Sequence, residues 1–295
     1  RLDEPTRNAS IQELAAELVI ATKSEVSAWL ISLLGLPDTL TGLRASTELG
    51  GIDAAEPPRW THMRALGVIA WRSGWADDDD AVWIRTSGGL SSHHHADSAH
   101  ISCFRHGLPV LIEAGTPVYG HTDIGRSFAS AAGHNVLQLG LEWPEPYMQQ
   151  REIAGWQKKD TAVEVHRAVL GEAGGSVEMH VDPDGYGGLK SWTRTCDWDE
   201  SGDVKVTDEV WLESPNIVLF RFHLGQPSTV TSRESGELSV KCGDTSLKFV
   251  ADRSIDSELV SWPGPSDRVG DHQCLVLRSA EETSKFVLSL HIAAN

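Results

Sequence analysis

The chain has 295 residues and carries 42 acidic against 25 basic side chains, a formal net charge of −17. That balance argues against nucleic acid and anionic membrane surfaces as partners, and no apolar run of about 18 residues is present to cross a bilayer. The length suffices for two domains, or for one large β domain with an ample core.

The chain opens on Arg1 with no apolar signal-like stretch before its first helical pattern, so it reads as a processed or truncated piece of a longer protein. From Ser10 to Leu34 the apolar residues Ile11, Leu14, Ala15, Leu18 and Val19 follow the i, i+3, i+4, i+7, i+8 spacing of a helix. Ser10 and Glu13 form a capping box, while Gly35 and Pro37 supply the stop. The spacing fits one long helix or two with a break near Thr22 to Ser24. Residues Pro37 to Arg59 are polar and weakly periodic and read as a linker, so residues 1–57 are taken as a helical segment and residues 58–295 as a second domain.

After Trp60 the pattern changes to short runs of alternating apolar and polar residues, among them Leu66–Arg72, Ala81–Thr86, His100–Arg105, Leu108–Glu113, Leu189–Asp197, Asp203–Leu212 and Lys285–Ile292. Half-buried antiparallel strands read this way. Many such strands with Gly, Asp and Pro turns predict a mainly β fold, a large antiparallel β-sandwich, preceded by the helical segment. The acidic run Asp77 to Asp80 reads as a solvated hairpin tip. The four cysteines, Cys103, Cys196, Cys242 and Cys274, are far apart and form no CxxC pair, which favours free thiols over a disulfide framework. Most of the eleven tryptophans, spread over the whole chain, read as core.

Seven of the 13 histidines lie between Ser91 and Asn135. If Ser92 to Asp97 is extended, His93, His95 and Asp97 share a face. The strand Leu108–Glu113 delivers a carboxylate at its end, and His134 precedes the apolar run Val136 to Leu139. Imidazole nitrogen and carboxylate oxygen are the usual non-thiolate ligands of zinc, and a two-histidine, one-carboxylate set leaves a position open. His95, Glu113 and His134 can form such a set; a histidine-rich surface loop is the plain alternative.

These residues carry a resemblance. His93-x-His95-Ala-Asp97, then Leu-Ile-Glu113-Ala-Gly115-Thr, then Ala-Ala-Gly-His134-Asn135 resembles the signature of the heparinase II/III-like polysaccharide lyases. Trp71-Arg72-Ser73-Gly74-Trp75, His166-Arg167 and Val218-Leu-Phe-Arg-Phe-His223 agree in order. The resemblance covers about Leu66 to Leu224. It implies β-elimination on a uronic-acid-containing polysaccharide, heparan-type or alginate, by a protein whose N-terminal α/α toroid packs on a C-terminal β-sandwich. The helical segment would then be the end of that toroid.

By the same resemblance His93 is the catalytic histidine, and His95, Glu113 and His134 are ligands of zinc, with calcium or another divalent metal as a less favoured choice. The family more often has Asp where Glu113 stands. Tyr119, Arg126 and Tyr186 are candidate substrate contacts on loops. The expected partners are an acidic polysaccharide or oligosaccharide and the absent toroid, with no nucleic acid and no membrane. A homo-oligomer is compatible, and substrate size implies a periplasmic or secreted protein. Two rival readings use the same residues: a non-catalytic carbohydrate-binding sandwich with a structural zinc site, and a metal-dependent hydrolase.

Overall fold

A strand with one apolar face must bury it against another layer, and the alternating side chains after Trp60 give most strands of this chain such a face. The computed structural model describes residues 4–86, 95–117, 128–140, 157, 161–265 and 270–293. His93, Tyr119 and Arg126 lie outside the described residues. The chain divides into two compact units, Arg1–Pro58 and Arg59–Asn295.

The first unit has three helices, α1 (Glu4–Thr22), α2 (Glu25–Leu34) and α3 (Leu40–Leu49). The break expected near Thr22 is present: Lys23 takes φ 55°, and the Ser24 side chain accepts a hydrogen bond from the amide of Ser27 to cap α2. Gly35, at φ 81°, ends α2 with its amide bonded to the Ile31 carbonyl. Two expectations change. The first helix begins at Glu4, so Ser10 is inside it rather than at a capping box. The segment read as a linker contains α3, capped by Thr39. That helix packs through small residues, Gly42 and Ala45, leaving Leu40 and Leu43 exposed. A Cβ on Gly42 would lie 2.0 Å from the Pro37 carbonyl oxygen, so close approach and not apolar periodicity makes this contact.

The second unit holds seventeen strands among its described residues: β1 (Trp60–Met63), β2 (Val68–Arg72), β3 (Ala81–Arg85), β4 (Ile101–Arg105), β5 (Leu108–Ile112), β6 (Leu137–Leu139), β7 (Val163–Gly171), β8 (Gly174–Val181), β9 (Leu189–Asp199), β10 (Val204–Asn216), β11 (Val218–Leu224), β12 (Ser228–Glu234), β13 (Glu237–Cys242), β14 (Thr245–Ala251), β15 (Ile255–Trp262), β16 (His272–Ser279) and β17 (Thr283–Ala293). They form two antiparallel sheets. One runs β1-β2-β3-β4-β5-β11-β16-β15 with β6 also on β11, and the other runs β12-β13-β14-β17-β10-β9-β8-β7. The mainly β sandwich read from the alternation is the observed fold.

The inner faces meet in one apolar core that includes Trp71, Trp192, Phe220, Phe222, Phe249 and Phe286. Burying each such ring is worth roughly 1.5–3 kcal/mol relative to exposure. All four cysteines are free and buried in it. The β4–β5 hairpin turns on His106 and Gly107, both at positive φ (49° and 70°), as a tight right-twisted hairpin requires. The acidic run is not simply solvated. Asp80 is buried and accepts from Arg105 Nη1 at 2.8 Å and from the His106 amide at 2.7 Å, while Asp79 accepts from the Ser73 hydroxyl at 2.9 Å.

One irregularity organises the candidate site. Strand β11 pairs with β6 through Val218 to Phe220 and with β5 through His223 and Leu224. Both neighbours are antiparallel to β11 on the same edge, so β5 and β6 lie end to end as one strand interrupted by residues 113–136. Glu113 stands at the exit of that interruption and His134 at the return.

Candidate metal centre

At the gap in the strand the backbone groups of three elements face one side chain. Asn135 donates from Nδ2 to the carbonyls of Ile101 (2.8 Å) and Ile112 (3.0 Å), and its Oδ1 accepts from the amide of His223 (2.8 Å). It thus supplies the ladder bonds that the missing strand residues would have made. The turn before it, Ala131–Gly133, is capped by Ser130 and tied by its Ala132 carbonyl to His223 Nε2 at 2.8 Å. A second anchor comes from the opposite sheet. Arg194 Nη1 donates to the carbonyls of Ala99 (2.8 Å) and Asn135 (2.6 Å), and its other nitrogens bond Asp208.

These anchors hold His134 fully buried, yet neither of its ring nitrogens has a hydrogen-bond partner among the described residues. Such a group costs about 1–3 kcal/mol if left unpaired. Its neighbours are the groups that bind metals. Glu113 Oε1 is 3.9 Å from its Nδ1, the His95 ring centroid is 5.3 Å away, and the His100 ring stands edge-on at 5.6 Å. His100, Glu113 and His134 each offer a ligand atom within 4.8 Å of the others, a group able to hold a metal ion. The donor chemistry, imidazole plus carboxylate, suits zinc better than the all-oxygen shells of calcium or magnesium.

The three are not equivalent. His100 Nδ1 accepts from the Asn135 amide at 2.9 Å, which leaves the proton of the neutral ring on Nε2, 2.9 Å from the Ser102 hydroxyl. Both its nitrogens are therefore engaged, whereas those of His134 are open. Burial holds His134 and His100 well below the usual histidine range, and the neighbouring rings and Arg85 add to this. Burial raises Glu113 to about 7, with the Asp97 charge adding and Arg85 opposing. Glu113 keeps 38 % of its side-chain surface exposed, which tempers that rise.

Of the sequence-predicted residues, Glu113 and His134 are brought together with His95 beside them. Residues 95–97 form no strand, so the shared face of His95 and Asp97 is not formed by strand alternation. Asp97 instead accepts from Arg85 Nε at 3.0 Å, and its carbonyl accepts from the His100 amide. Tyr186 is in the core with 4 % exposure. Its hydroxyl donates to the Leu137 carbonyl and accepts from Gln157, and burial pushes its pKa up. As placed, it has no face to offer a sugar. Of the anchors, Asn135 and His223 stand in the motifs of the resemblance but were given no role there, and Arg194 was not singled out from the sequence. A signal existed for Arg194: it has the parity of Trp192, Cys196 and Trp198, and Asp208 has that of Val204, Val206 and Val210, so two opposite charges share the core side of adjacent strands.

The chain matches the family described as heparinase II/III-like, C-terminal, over residues 62–286. No curated protein sequence matches it. Among solved structures it is similar to the heparan sulfate lyase HepC from Pedobacter heparinus, with 14 % identity, a TM-score of 0.70, and coverage of 98 % of this chain and 42 % of that one. It is also similar to a heparinase III, with 14 % identity, a TM-score of 0.66, and coverage of 95 % of this chain and 41 % of that one. At such identities the likeness speaks for the fold, and the chain spans about two fifths of the length of these proteins. With three quarters of its length inside the family's match, this chain belongs to the heparinase II/III-like family, through that family's C-terminal region.

Proposed function

We propose that this chain is the C-terminal part of a polysaccharide lyase that cleaves a uronic-acid-containing acidic polysaccharide, heparan-type or alginate, by β-elimination in the periplasm or outside the cell. The observation that carries the reading is His134: a buried histidine whose two nitrogens have no hydrogen-bond partner among the described residues, at the interruption of a strand, beside a carboxylate and further imidazoles, in a chain of this family.

His95, Glu113 and His134 are the proposed zinc ligands. His100 is the less suitable third donor, because its two nitrogens already bond Asn135 and Ser102. The ion would supply a cross-link between three distant segments, and it would keep His93, two residues from His95, correctly aimed. Elimination needs a base for the C5 proton next to the uronate carboxylate. Histidine serves near neutral pH because its ordinary pKa is about 6.5. His93 takes that proton, the C4–O bond breaks, a C4–C5 double bond forms, and the departing oxygen receives a proton to become a hydroxyl. The proton donor and the groups that neutralise the carboxylate belong, on this reading, to an N-terminal α/α toroid of which residues 1–57 are the end. Tyr119 and Arg126 are proposed to touch the sugar.

The test is absorbance near about 232 nm, which reports the conjugated product of elimination, with the full-length protein offered heparan sulfate, hyaluronan, chondroitin and alginate in turn. A rise that His93→Ala abolishes supports the reading. New reducing ends without absorbance would establish a hydrolase, and neither signal with any polymer would leave a binding module.

A further inference from the structure

A cleft of about 690 Å³ opens on the outer face of β2, β3 and β4, and it reaches the candidate metal centre at His100 and Glu113. That volume is within the roughly 300–1,000 Å³ typical of ligand sites. Its wall is unusual for the outside of a sheet. Trp83 is 44 % exposed there, and Trp75 and Phe104 join it. The Arg72 guanidinium lies over the Trp75 ring at 4.4 Å and forms no ion pair among the described residues.

The polar groups sort by what they have left to offer. Among the acids, Asp80 is committed to Arg105 and the His106 amide, and Asp79 to Ser73 and the Ala76 amide. Each carboxylate still has lone pairs for further donors. Because His100 Nε2 carries its proton and donates to Ser102, the Ser102 hydroxyl keeps its own hydrogen to donate elsewhere. Of the two arginines in the wall, Arg85 is engaged by Asp97 and the Leu66 carbonyl. One cation left to offer, Arg72, with several acceptors and aromatic faces, fits a ligand with one negative charge, many hydroxyls and an apolar ring face. A polyphosphate or a densely sulfated chain would meet four carboxylates, Asp77, Asp79, Asp80 and Glu113, with Arg72 the one lining arginine that has no ion pair among the described residues.

We infer that this cleft is a saccharide subsite in which Arg72 binds the carboxylate of a uronate residue and Trp83 stacks on a sugar ring, its acids taking the hydroxyls. The inference rests on the lyase reading for its choice of an acidic sugar. It extends the candidate site from the metal centre across the sheet, so the polymer runs over β4 and β3 toward β2.

Calorimetric titration of the full-length His93→Ala protein, which removes turnover, tests it with three tetrasaccharides. The first alternates glucuronate and N-acetylglucosamine, the second is its carboxyl-reduced counterpart, and the third is its sulfated counterpart. Arg72→Gln is expected to weaken the first by about tenfold, the value of one charge-assisted pair, with Arg72→Lys recovering part of the loss. Trp83→Ala, at an exposed position that leaves folding intact, is expected to cost about threefold to tenfold. The carboxyl-reduced sugar should bind wild-type Arg72 and Arg72→Gln alike. Absence of binding, affinity indifferent to Arg72, or tighter binding of the sulfated sugar would overturn the assignment. The absorbance assay separates the two ideas. Arg72-dependent binding without any unsaturated product retires the lyase and keeps the subsite, and product with Arg72-independent binding does the reverse.

Discussion

Arg194 of β9 and Asp208 of β10 stand directly opposite in register, both inside the sandwich, and are joined by two bonds, Nε to Oδ1 at 2.8 Å and Nη2 to Oδ2 at 2.9 Å. The remaining nitrogen of Arg194 crosses the core to the Ala99 and Asn135 carbonyls, so one guanidinium ties the second sheet to both approaches of the candidate centre. Replacing Arg194 by Met should cost about 3–5 kcal/mol, because Asp208 would be left charged and buried. Urea unfolding measures this. The double change Arg194→Met with Asp208→Leu should recover much of the loss in stability without restoring metal affinity, since the two carbonyls remain unheld.

Asn135 should behave as a backbone substitute. Asn135→Ala removes three bonds from buried groups, each worth about 1–3 kcal/mol when orphaned, and the amide of His223 should lose its protection against hydrogen exchange. If that amide stayed as protected as its neighbours in β11, the side chain would not be mending the ladder.

Metal content separates the two ligand sets. The wild-type protein should carry about one zinc per chain by elemental analysis. His134→Ala and His95→Ala should abolish stoichiometric loading, whereas His100→Gln should weaken affinity by roughly 10–100-fold, the usual cost of losing an orienting partner. A chelator should lower the unfolding temperature of the wild type and leave that of His134→Ala unchanged. Retention of zinc by His95→Ala with loss in His100→Gln would shift the assignment to His100, Glu113 and His134.

The pH dependence of the chelated protein has a definite sign. Burial, with the neighbouring His272, lowers His223 to about 3, and burial also holds His134 and His100 low. The unfolded chain binds protons on these rings near pH 6.5 while the folded chain refuses them, so their contribution to stability is lost as pH falls from about 6.5 toward 3. Glu113 acts oppositely: raised from 4.5 to about 7, it favours the fold at low pH and ceases to do so as pH rises through that interval. Three fully buried rings should outweigh one partly exposed carboxyl, so the urea midpoint should drop between pH 6.5 and 4.5. His223→Gln should flatten that slope.

Much of the fold was legible in the sequence because burial follows parity. Strand β10 reads Val204, Val206, Val210 and Leu212 on one side, and the structure buries that side. Glu113 and His134 were legible because each closes or opens an apolar run inside a motif of the family resemblance, where spacing alone left a plain surface loop as the alternative. What escaped did so for physical reasons. Helix α3 packs by Gly42 and Ala45, whose contribution is closeness and not apolar area. Strand β12, Ser228–Glu234, is a polar edge strand with a mostly exposed face. Arg194 and Asp208 were invisible as a pair because each charge alone looks like surface, and only the register of two strands puts them face to face. His100 read as the first residue of a strand, and its ring orientation depends on an amide thirty-five positions away.

The interruption of β5 by residues 113–136 also bears on how such a protein diversifies. The pairs that set the register of the sheet on β11, made by Leu111 and Ile112 on one side and by Leu137 to Leu139 on the other, lie outside the excursion. Lengthening a loop costs little in general, about 0.6 kcal/mol of closure entropy per doubling. Provided Glu113, His134 and Asn135 stay in place, a change in what joins Gly115 to Phe128 leaves those pairs as they are, as a graft leaves its rootstock.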